Sequence, residues 1–133
     1  MNPNPYLMFD GRCEAAFKFY ENVLGGKIQS LLKHDNPEMA TQVPAEWRDK
    51  IMHAQMTVGN TLFMASDAPP NYYQKPQGFS LQLEINDLDA AERTFNALAD
   101  KGTVSSPLQQ TFWAKRWGTV TDQFGIPWMI NCN

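Results

Sequence analysis

The chain contains 133 residues and carries a net charge of −3, with acidic and basic side chains mixed along its length. This pattern has no basic stripe for a phosphate backbone, and no apolar run approaches the ~20 residues that cross a bilayer, so we expect neither nucleic-acid nor membrane partners. No secretion signal accompanies Cys13 and Cys132, which indicates reduced thiols in a soluble, cytoplasmic protein.

The first strand and the first helix are predicted within residues 5–24. Residues 5–9 form an apolar run that ends at Asp10-Gly11, which is typical of a buried strand followed by a turn. Residues 14–24 place apolar side chains at helical spacing behind an acidic first residue, and Gly25-Gly26 supplies the stop. We expect the apolar face of this helix to lie on a sheet.

Three further strands complete the first half. A strand is predicted over residues 27–34, and the polar residues 35–50 predict a connection with a helical turn from Pro44. Residues 51–66 form two alternating arms around Gly59-Asn60, which is typical of a tight hairpin.

The first arm of this hairpin separates two kinds of side chain. The apolar side predicts a core face and contains Met52, Ala54, Met56 and Val58. The polar side predicts a wet or functional face and contains His53, Gln55 and Thr57.

The second half opens after the proline-rich residues 68–78, which predict a linker or a lid. Residues 79–85 alternate, so one side of this strand is predicted to be core and the other polar. The core side contains Leu81, Leu83 and Ile85, and the polar side contains Ser80, Gln82 and Glu84. A helix is predicted after Asn86-Asp87. The final strands are predicted at residues 104–113, 116–121 and 126–132.

The two halves match each other at an offset of 75 residues, which sets Glu14 against Asp89 and Tyr20 against Phe95. Because each half predicts a strand, a helix and three strands in that order, the match indicates a duplicated βαβββ module. We therefore predict an α+β fold in which two modules form a cupped mixed sheet with the helices on its outer face. The predicted boundaries are one domain over 1–133, with half-modules 1–67 and 79–133 and the linker or lid at 68–78.

Several motifs extend this pattern over nearly the whole chain. They are Pro5-Tyr6-Leu7-x-Phe9-x-Gly11, Phe19-Tyr20, Leu24-Gly25-Gly26, Ile51-Met52-His53-Ala54, Ser66-Asp67 and the long run from Thr111-Phe112-Trp113 through Arg116 and Gly118 to Asp122-x-Phe124-Gly125-x-x-Trp128. With the doubled module, they resemble the vicinal-oxygen-chelate superfamily of glyoxalases, bleomycin-resistance proteins and extradiol dioxygenases, and more narrowly its PhnB-like branch.

The resemblance implies where a metal would bind, because metal-using members take ligands from the first and last strands of each half. The internal offsets place these positions at Pro5 or Tyr6, Phe63 or Met64, Ser80 and Met129. None offers the imidazole, carboxylate or thiolate that a divalent first-row metal prefers, so we predict no metal and no other cofactor. The alternative is a divalent metal at a different site, formed from His34, His53, Asp67 and Glu84.

The expected site is then a cup for a small, partly apolar organic molecule. The candidate ligand-binding residues are His53, Gln55, Met64, Ser80, Gln82, Trp113, Arg116, Trp117 and Met129. We also expect Glu84 on the polar wall and Trp128 on the apolar one. The alternative for each tryptophan and methionine is an ordinary place in the core.

The stretch from Thr111 to Gly118 is dense in aromatic side chains and contains two cations. We expect Trp113 or Trp117 to line the mouth of the cup. Arg116 is expected either to face an anionic group of the ligand or to hold Asp122. The alternative packs both indoles beneath residues 68–78.

Three functions fit this pattern, and no catalytic residue can be assigned. The first is a binding protein or metal-independent enzyme for a small organic molecule. The second is a metal-dependent glyoxalase-like lyase or isomerase that uses His53, and the third is a resistance protein that sequesters a drug. The resemblance and the open sheet edges of two half-barrel modules also predict a homodimer.

Overall fold

The computed structural model describes residues 1–35, 37 and 43–133. The described chain forms two compact units, Met1–Gln74 and Lys75–Asn133. Each unit contains a four-stranded sheet and a 12-residue α-helix. The predicted α+β class and the duplicated βαβββ module are therefore confirmed. None of the helices in the described residues is long and apolar enough to cross a membrane.

The first unit follows the predicted order of elements. Its elements are β1 (Tyr6–Phe9), α1 (Cys13–Leu24), β2 (Lys27–Lys33), a 3₁₀ turn (Ala45–Trp47), β3 (Ile51–Val58) and β4 (Thr61–Asp67). The sheet order is β1-β4-β3-β2, in which β1 runs parallel to β4 and the other pairs are antiparallel. The hairpin at Gly59-Asn60 and the turn after Pro44 are confirmed, while part of the connection predicted over residues 35–50 lies outside the described residues.

The second unit has the same sheet order. Its elements are β5 (Leu81–Glu84), α2 (Leu88–Ala99), β6 (Thr103–Gln109), β7 (Arg116–Thr121) and β8 (Pro127–Cys132). The sheet order is β5-β8-β7-β6, again with one parallel pair, β5 with β8. The strand predicted over 104–113 was too long, because it ends at Gln109. A turn follows, in which the Thr111 and Ala114 backbones bond at 3.1 Å and the Thr111 hydroxyl accepts from the Ala114 N–H at 3.2 Å.

Each sheet packs one face against the helix of its own unit. In the first unit the buried apolar strand residues include Leu7, Phe9, Ala54, Met56, Phe63 and Ala65, and the buried α1 residues include Ala16, Phe17 and Tyr20. In the second unit the buried set includes Val120, Trp128, Ile130, Ala91, Phe95 and Leu98. The predicted core side of β3 is correct for Ala54 and Met56, but Met52 and Val58, near the two ends of the strand, are only half-buried.

A buried carboxylate at the end of β4 connects three elements of the first unit. One Asp67 oxygen accepts hydrogen bonds from the Gly11 and Cys13 N–H groups at 3.0 and 2.9 Å, and the other accepts from Ile51 N–H at 2.9 Å. The residue before α1, Arg12, makes no side-chain cap. Asp67, at the end of β4, therefore caps α1 and fixes the starts of α1 and β3.

The second unit has its own buried carboxylate, Asp122, in the turn between β7 and β8. One Asp122 oxygen accepts from the Phe124 and Ile126 N–H groups at 2.8 and 3.1 Å, and the other accepts from the indole N–H of Trp128 at 2.8 Å. Gly125 occupies a position with φ of 91°, which favours glycine. The turn thus depends on both a glycine and an internal acceptor.

We expect Asp67→Ala to lower the free energy of unfolding by about 3 kcal/mol or more, because it leaves three backbone N–H groups, two of them in buried hydrogen bonds, without their acceptor. Urea denaturation of the two proteins measures this difference. The matched control is the exposed Asp49→Ala, which should change stability by less than about 0.5 kcal/mol. Equal, small effects of both substitutions would contradict the role given to Asp67.

Candidate functional site

The side of the first sheet opposite α1 carries a mixture of polar groups and thioethers. We call it the first sheet face, and its residues are Tyr6, Met8, His53, Gln55, Met64 and Ser66. The backbone register places Met64 between Tyr6 and Gln55, and it places Ser66 beside Met8. Tyr6 and Met8 are 46% and 40% exposed, whereas Ser66 is buried, so this face is open mainly along β1.

Three of these side chains form a hydrogen-bonded chain. The Tyr6 hydroxyl lies 3.2 Å from Nδ1 of His53, and Nε2 of His53 lies 3.2 Å from the amide nitrogen of Gln55. The structure thus brings together His53, Gln55 and Met64 from the predicted site. It adds Tyr6, which sequence reasoning did not include among the ligand-binding residues.

The Gln55 amide is placed with its nitrogen toward His53 Nε2, and this placement favours one tautomer of neutral His53. An amide nitrogen is only a donor, so Gln55 donates to His53 Nε2, and that ring nitrogen is the acceptor. The ring hydrogen is then on Nδ1 and is donated to the Tyr6 oxygen. It follows that the hydrogen of the Tyr6 hydroxyl is not used within this chain.

The equivalent surface of the second unit is the second sheet face, formed by Gln82, Glu84, Trp117, Thr119, Met129 and Asn131. Its register sets Gln82 beside Met129, and Met129 beside Thr119. Both sheets have a register shift at an equivalent place, after Ile28 in β2 and after Val104 in β6. This allows the strands of one unit to be matched residue by residue to those of the other. Under this alignment Met129 corresponds to Met64, and Trp117 corresponds to His53.

This register corrects the positions derived from the sequence offset. The 75-residue offset set Pro5 against Ser80, but both lie outside the strands. The residues that pair with the two methionines are Tyr6, opposite Met64, and Gln82, opposite Met129. These four side chains are a phenol, a primary amide and two thioethers, which do not suit a divalent first-row metal.

The non-ancestral metal set is not brought together either. In the described ranges, 1–35, 37 and 43–133, no three His, Cys, Asp or Glu side chains lie close enough to hold an ion. Asp67 uses both oxygens for backbone N–H groups, and Glu84, in the other unit, accepts from Asn131 at 3.3 Å and Asn133 at 2.5 Å. His34 lies in the turn after β2, beyond the first sheet face.

The aromatic stretch before β7 is largely exposed. Trp113 is 51% exposed and Phe112 is 96% exposed, and their rings meet edge to face at 4.8 Å. Trp113 also meets Trp117 at 5.6 Å, which connects the turn to the second sheet face. A cavity of about 330 Å³ lies at this turn, lined by Gln110, Thr111, Phe112, Trp113, Ala114, Lys115 and Asn133.

Two residues of the expected site lie elsewhere. Trp128 is 0% exposed and gives its indole N–H to Asp122, so the prediction that it lines a ligand surface is wrong. Arg116 pairs with Cys132 on the helix side of the sheet, where its guanidinium donates to the Lys115 carbonyl at 2.7 Å and lies 3.9 Å from Glu92. The structure therefore does not bring Arg116 together with Trp117.

The two cysteines offer no reactive thiol. Both Cys13 and Cys132 are buried and free of a disulfide. Burial, with the nearby Asp67 carboxylate, raises the pKa of the Cys13 thiol. A thiol that resists ionisation is a poor nucleophile, so Cys13 serves packing at the start of α1.

Comparison with known proteins gives consistent matches over almost the whole chain. A family model described as "Glyoxalase/Bleomycin resistance protein/Dioxygenase superfamily" matches residues 2–130. Protein YjdN of Escherichia coli (strain K12) is 35% identical over 136 residues, covering 96% of this chain and 92% of that protein. The crystal structure of protein PA1353 from Pseudomonas aeruginosa is 45% identical with a TM-score of 0.88, covering 100% of this chain and 98% of that one. A PhnB protein from Bacillus cereus, described as a putative 3-demethylubiquinone-9 3-methyltransferase, shares the fold with a TM-score of 0.85 at 24% identity over 100% of both chains.

The two tryptophans should respond differently to truncation. Trp113→Ala should cost less than about 1 kcal/mol of unfolding free energy because half of the indole is already in solvent. Trp128→Ala should cost about 3–5 kcal/mol because it empties a buried site and removes a partner of Asp122. Urea denaturation compares the two. If Trp113→Ala is as costly as Trp128→Ala, Trp113 belongs to the core and is not available to a ligand.

Proposed function

Because the chain belongs to the glyoxalase/bleomycin resistance protein/dioxygenase superfamily, we propose that it binds a small, partly apolar organic molecule, either to hold it or to convert it without a metal. The superfamily expected from the motifs is confirmed, and a PhnB protein from Bacillus cereus shares the fold.

The observation that carries the proposal is the hydrogen-bonded chain of Tyr6, His53 and Gln55 beside two thioethers. Polar groups that can orient a ligand are placed next to Met8 and Met64, whose flexible and polarizable side chains adapt to an apolar body. The opposite side of the sheet packs on α1. The first sheet face is therefore not needed for the core, which favours a role in binding.

The second sheet face is a candidate binding surface of the second unit. Gln82 and Met129 are neighbours there, and Ser80 lies exposed just before β5. Trp117 on this face contacts Trp113 in the preceding turn, which adds aromatic surface. We propose that Gln82, Trp113, Trp117 and Met129 bind a small molecule on this face, with Ser80 near it.

The side chains at the positions expected to bind a metal are poor metal ligands. The phenol, amide and thioethers of Tyr6, Gln82, Met64 and Met129 are poor ligands for zinc, nickel or iron(II). His53 has both ring nitrogens engaged, by Tyr6 and Gln55. We therefore propose a metal-independent site. Sequestration of a drug would use the same site and would differ only in the identity of the bound molecule.

A thermal-shift screen of small organic molecules tests the proposal. We expect at least one compound to stabilise the protein, since a ligand at about 100 times its Kd adds roughly 2.7 kcal/mol. His53→Ala should reduce that stabilisation by removing the middle of the polar chain. His34→Ala, which changes the other histidine, should preserve it. The panel includes fosfomycin and bleomycin-type compounds, whose binding would identify drug sequestration.

Two results would contradict the proposal. One is stabilisation that is equal in the native protein and in His53→Ala, which would place the ligand away from the first sheet face. The other is stoichiometric, tightly held zinc, nickel or iron in protein purified without a chelator, which would overturn the metal-independent site.

We also propose that the protein works in the cytoplasm as a homodimer. The free thiols of Cys13 and Cys132 suit a reducing compartment. Each four-stranded sheet has two edge strands, β1 and β2 in the first unit and β5 and β6 in the second, and unpaired edges are normally covered.

Light scattering at micromolar concentration measures the assembly. The chain has a mass of 15.1 kDa, so a dimer should give about twice that mass. A measured mass equal to that of one chain would contradict the homodimer.

A further inference from the structure

We infer that the Tyr6 hydroxyl donates a hydrogen bond to an anionic or carbonyl oxygen of the ligand, and that His53 and Gln55 position it for this task. The inference rests on the proposed function, since it assigns the oxygen-bearing end of the same small molecule. The ligand class is a one-ring or similarly sized organic anion or carbonyl compound.

The direction of the hydrogen bonds supplies the first argument. With the proton of neutral His53 on Nδ1, Gln55 donates to Nε2 and Nδ1 donates to the Tyr6 oxygen. The Tyr6 oxygen thus receives one hydrogen bond from the protein, and its own hydrogen remains for a partner outside this chain. A phenol that accepts one hydrogen bond becomes a better donor through the other, because such chains polarise their members.

The surroundings of Tyr6 supply the second argument. No carboxylate belongs to the first sheet face, whose residues are Tyr6, Met8, His53, Gln55, Met64 and Ser66. A negatively charged oxygen can therefore approach Tyr6 without facing an acidic side chain of that face. A donor aimed at an anionic oxygen makes a charge-assisted bond, which is stronger than a bond between neutral groups.

The dimensions of the face supply the third argument. Tyr6 in β1 and Gln55 in β3 flank Met64 in β4, so they are two strand spacings apart, which is about 9–10 Å. The His53 ring lies in this span, bonded to both Tyr6 and Gln55. We therefore expect the body of a one-ring ligand to lie against Met8, which is 40% exposed, with its oxygen at Tyr6.

The test uses 4-nitrophenolate as the probe and nitrobenzene as its counterpart without the charged oxygen. Both are titrated into the full chain at a pH that ionises the phenol. We expect the native protein to bind 4-nitrophenolate more tightly than nitrobenzene and to shift the absorption band of the phenolate.

The Tyr6→Phe variant keeps the ring and removes only the hydroxyl. It should weaken 4-nitrophenolate binding about tenfold or more, abolish the band shift and leave nitrobenzene binding unchanged. His53→Phe removes both ring nitrogens and should reduce the band shift as well, which a purely structural role would not do. The matched control is Tyr72→Phe, which changes an exposed tyrosine outside the first sheet face and should alter neither probe.

Three results would overturn the inference, and they separate it from the proposed function. If Tyr6→Phe weakens both probes equally, or neither, the hydroxyl does not bind the oxygen. If the native protein binds both probes with the same affinity, the donor role fails, while binding of small molecules to the face still stands. If neither probe binds, the ligand class is wrong, and the wider screen decides the proposed function independently.

Discussion

A buried carboxylate in each unit is the constraint on which the structure depends. Asp67 accepts hydrogen bonds from three backbone N–H groups and thereby fixes the starts of α1 and β3 against the end of β4. Asp122 accepts two backbone N–H groups and the Trp128 indole N–H, and thereby shapes the turn before β8. Backbone donors buried at such points need an acceptor, because an unpaired N–H away from water costs as much as a lost hydrogen bond.

Asp67 and Asp122 lie apart from the exposed sheet faces. Residues on those faces can therefore take part in function without loss of these hydrogen bonds. One side of each sheet packs against its helix, and the alternation of side chains leaves the other side with groups that stability does not require. The duplicated module then diverges at equivalent positions. His53 in the first unit corresponds to Trp117 in the second, while methionine is present at both Met64 and Met129. One unit thus offers directed hydrogen bonds and the other aromatic surface.

The sequence predicted the elements and the grouping of His53, Gln55 and Met64 on one side of a sheet, because local patterns determine them. Strict alternation in β3 was enough to place His53 and Gln55 together. Tyr6 was considered only as a possible metal position and not as a ligand-binding residue, because the apolar run of residues 5–9 hides the alternation that exposes it. The prediction that Trp128 faces a ligand was wrong because its indole bonds to Asp122 in the turn before β8. The spacing of residues along a strand does not reveal that contact. The register between strands follows from bulges, which no offset between repeats reveals.

Tyr6 can serve a ligand only if neutral His53 carries its proton on Nδ1. The ¹⁵N spectrum of the His53 ring, measured in the ligand-free protein with the Tyr6→Phe variant for comparison, reports this directly. We expect a protonated Nδ1, an unprotonated Nε2, and a change at Nδ1 when the Tyr6 hydroxyl is removed. A proton on Nε2 would contradict this arrangement, because Nδ1 would then accept the Tyr6 hydrogen and leave none for a ligand.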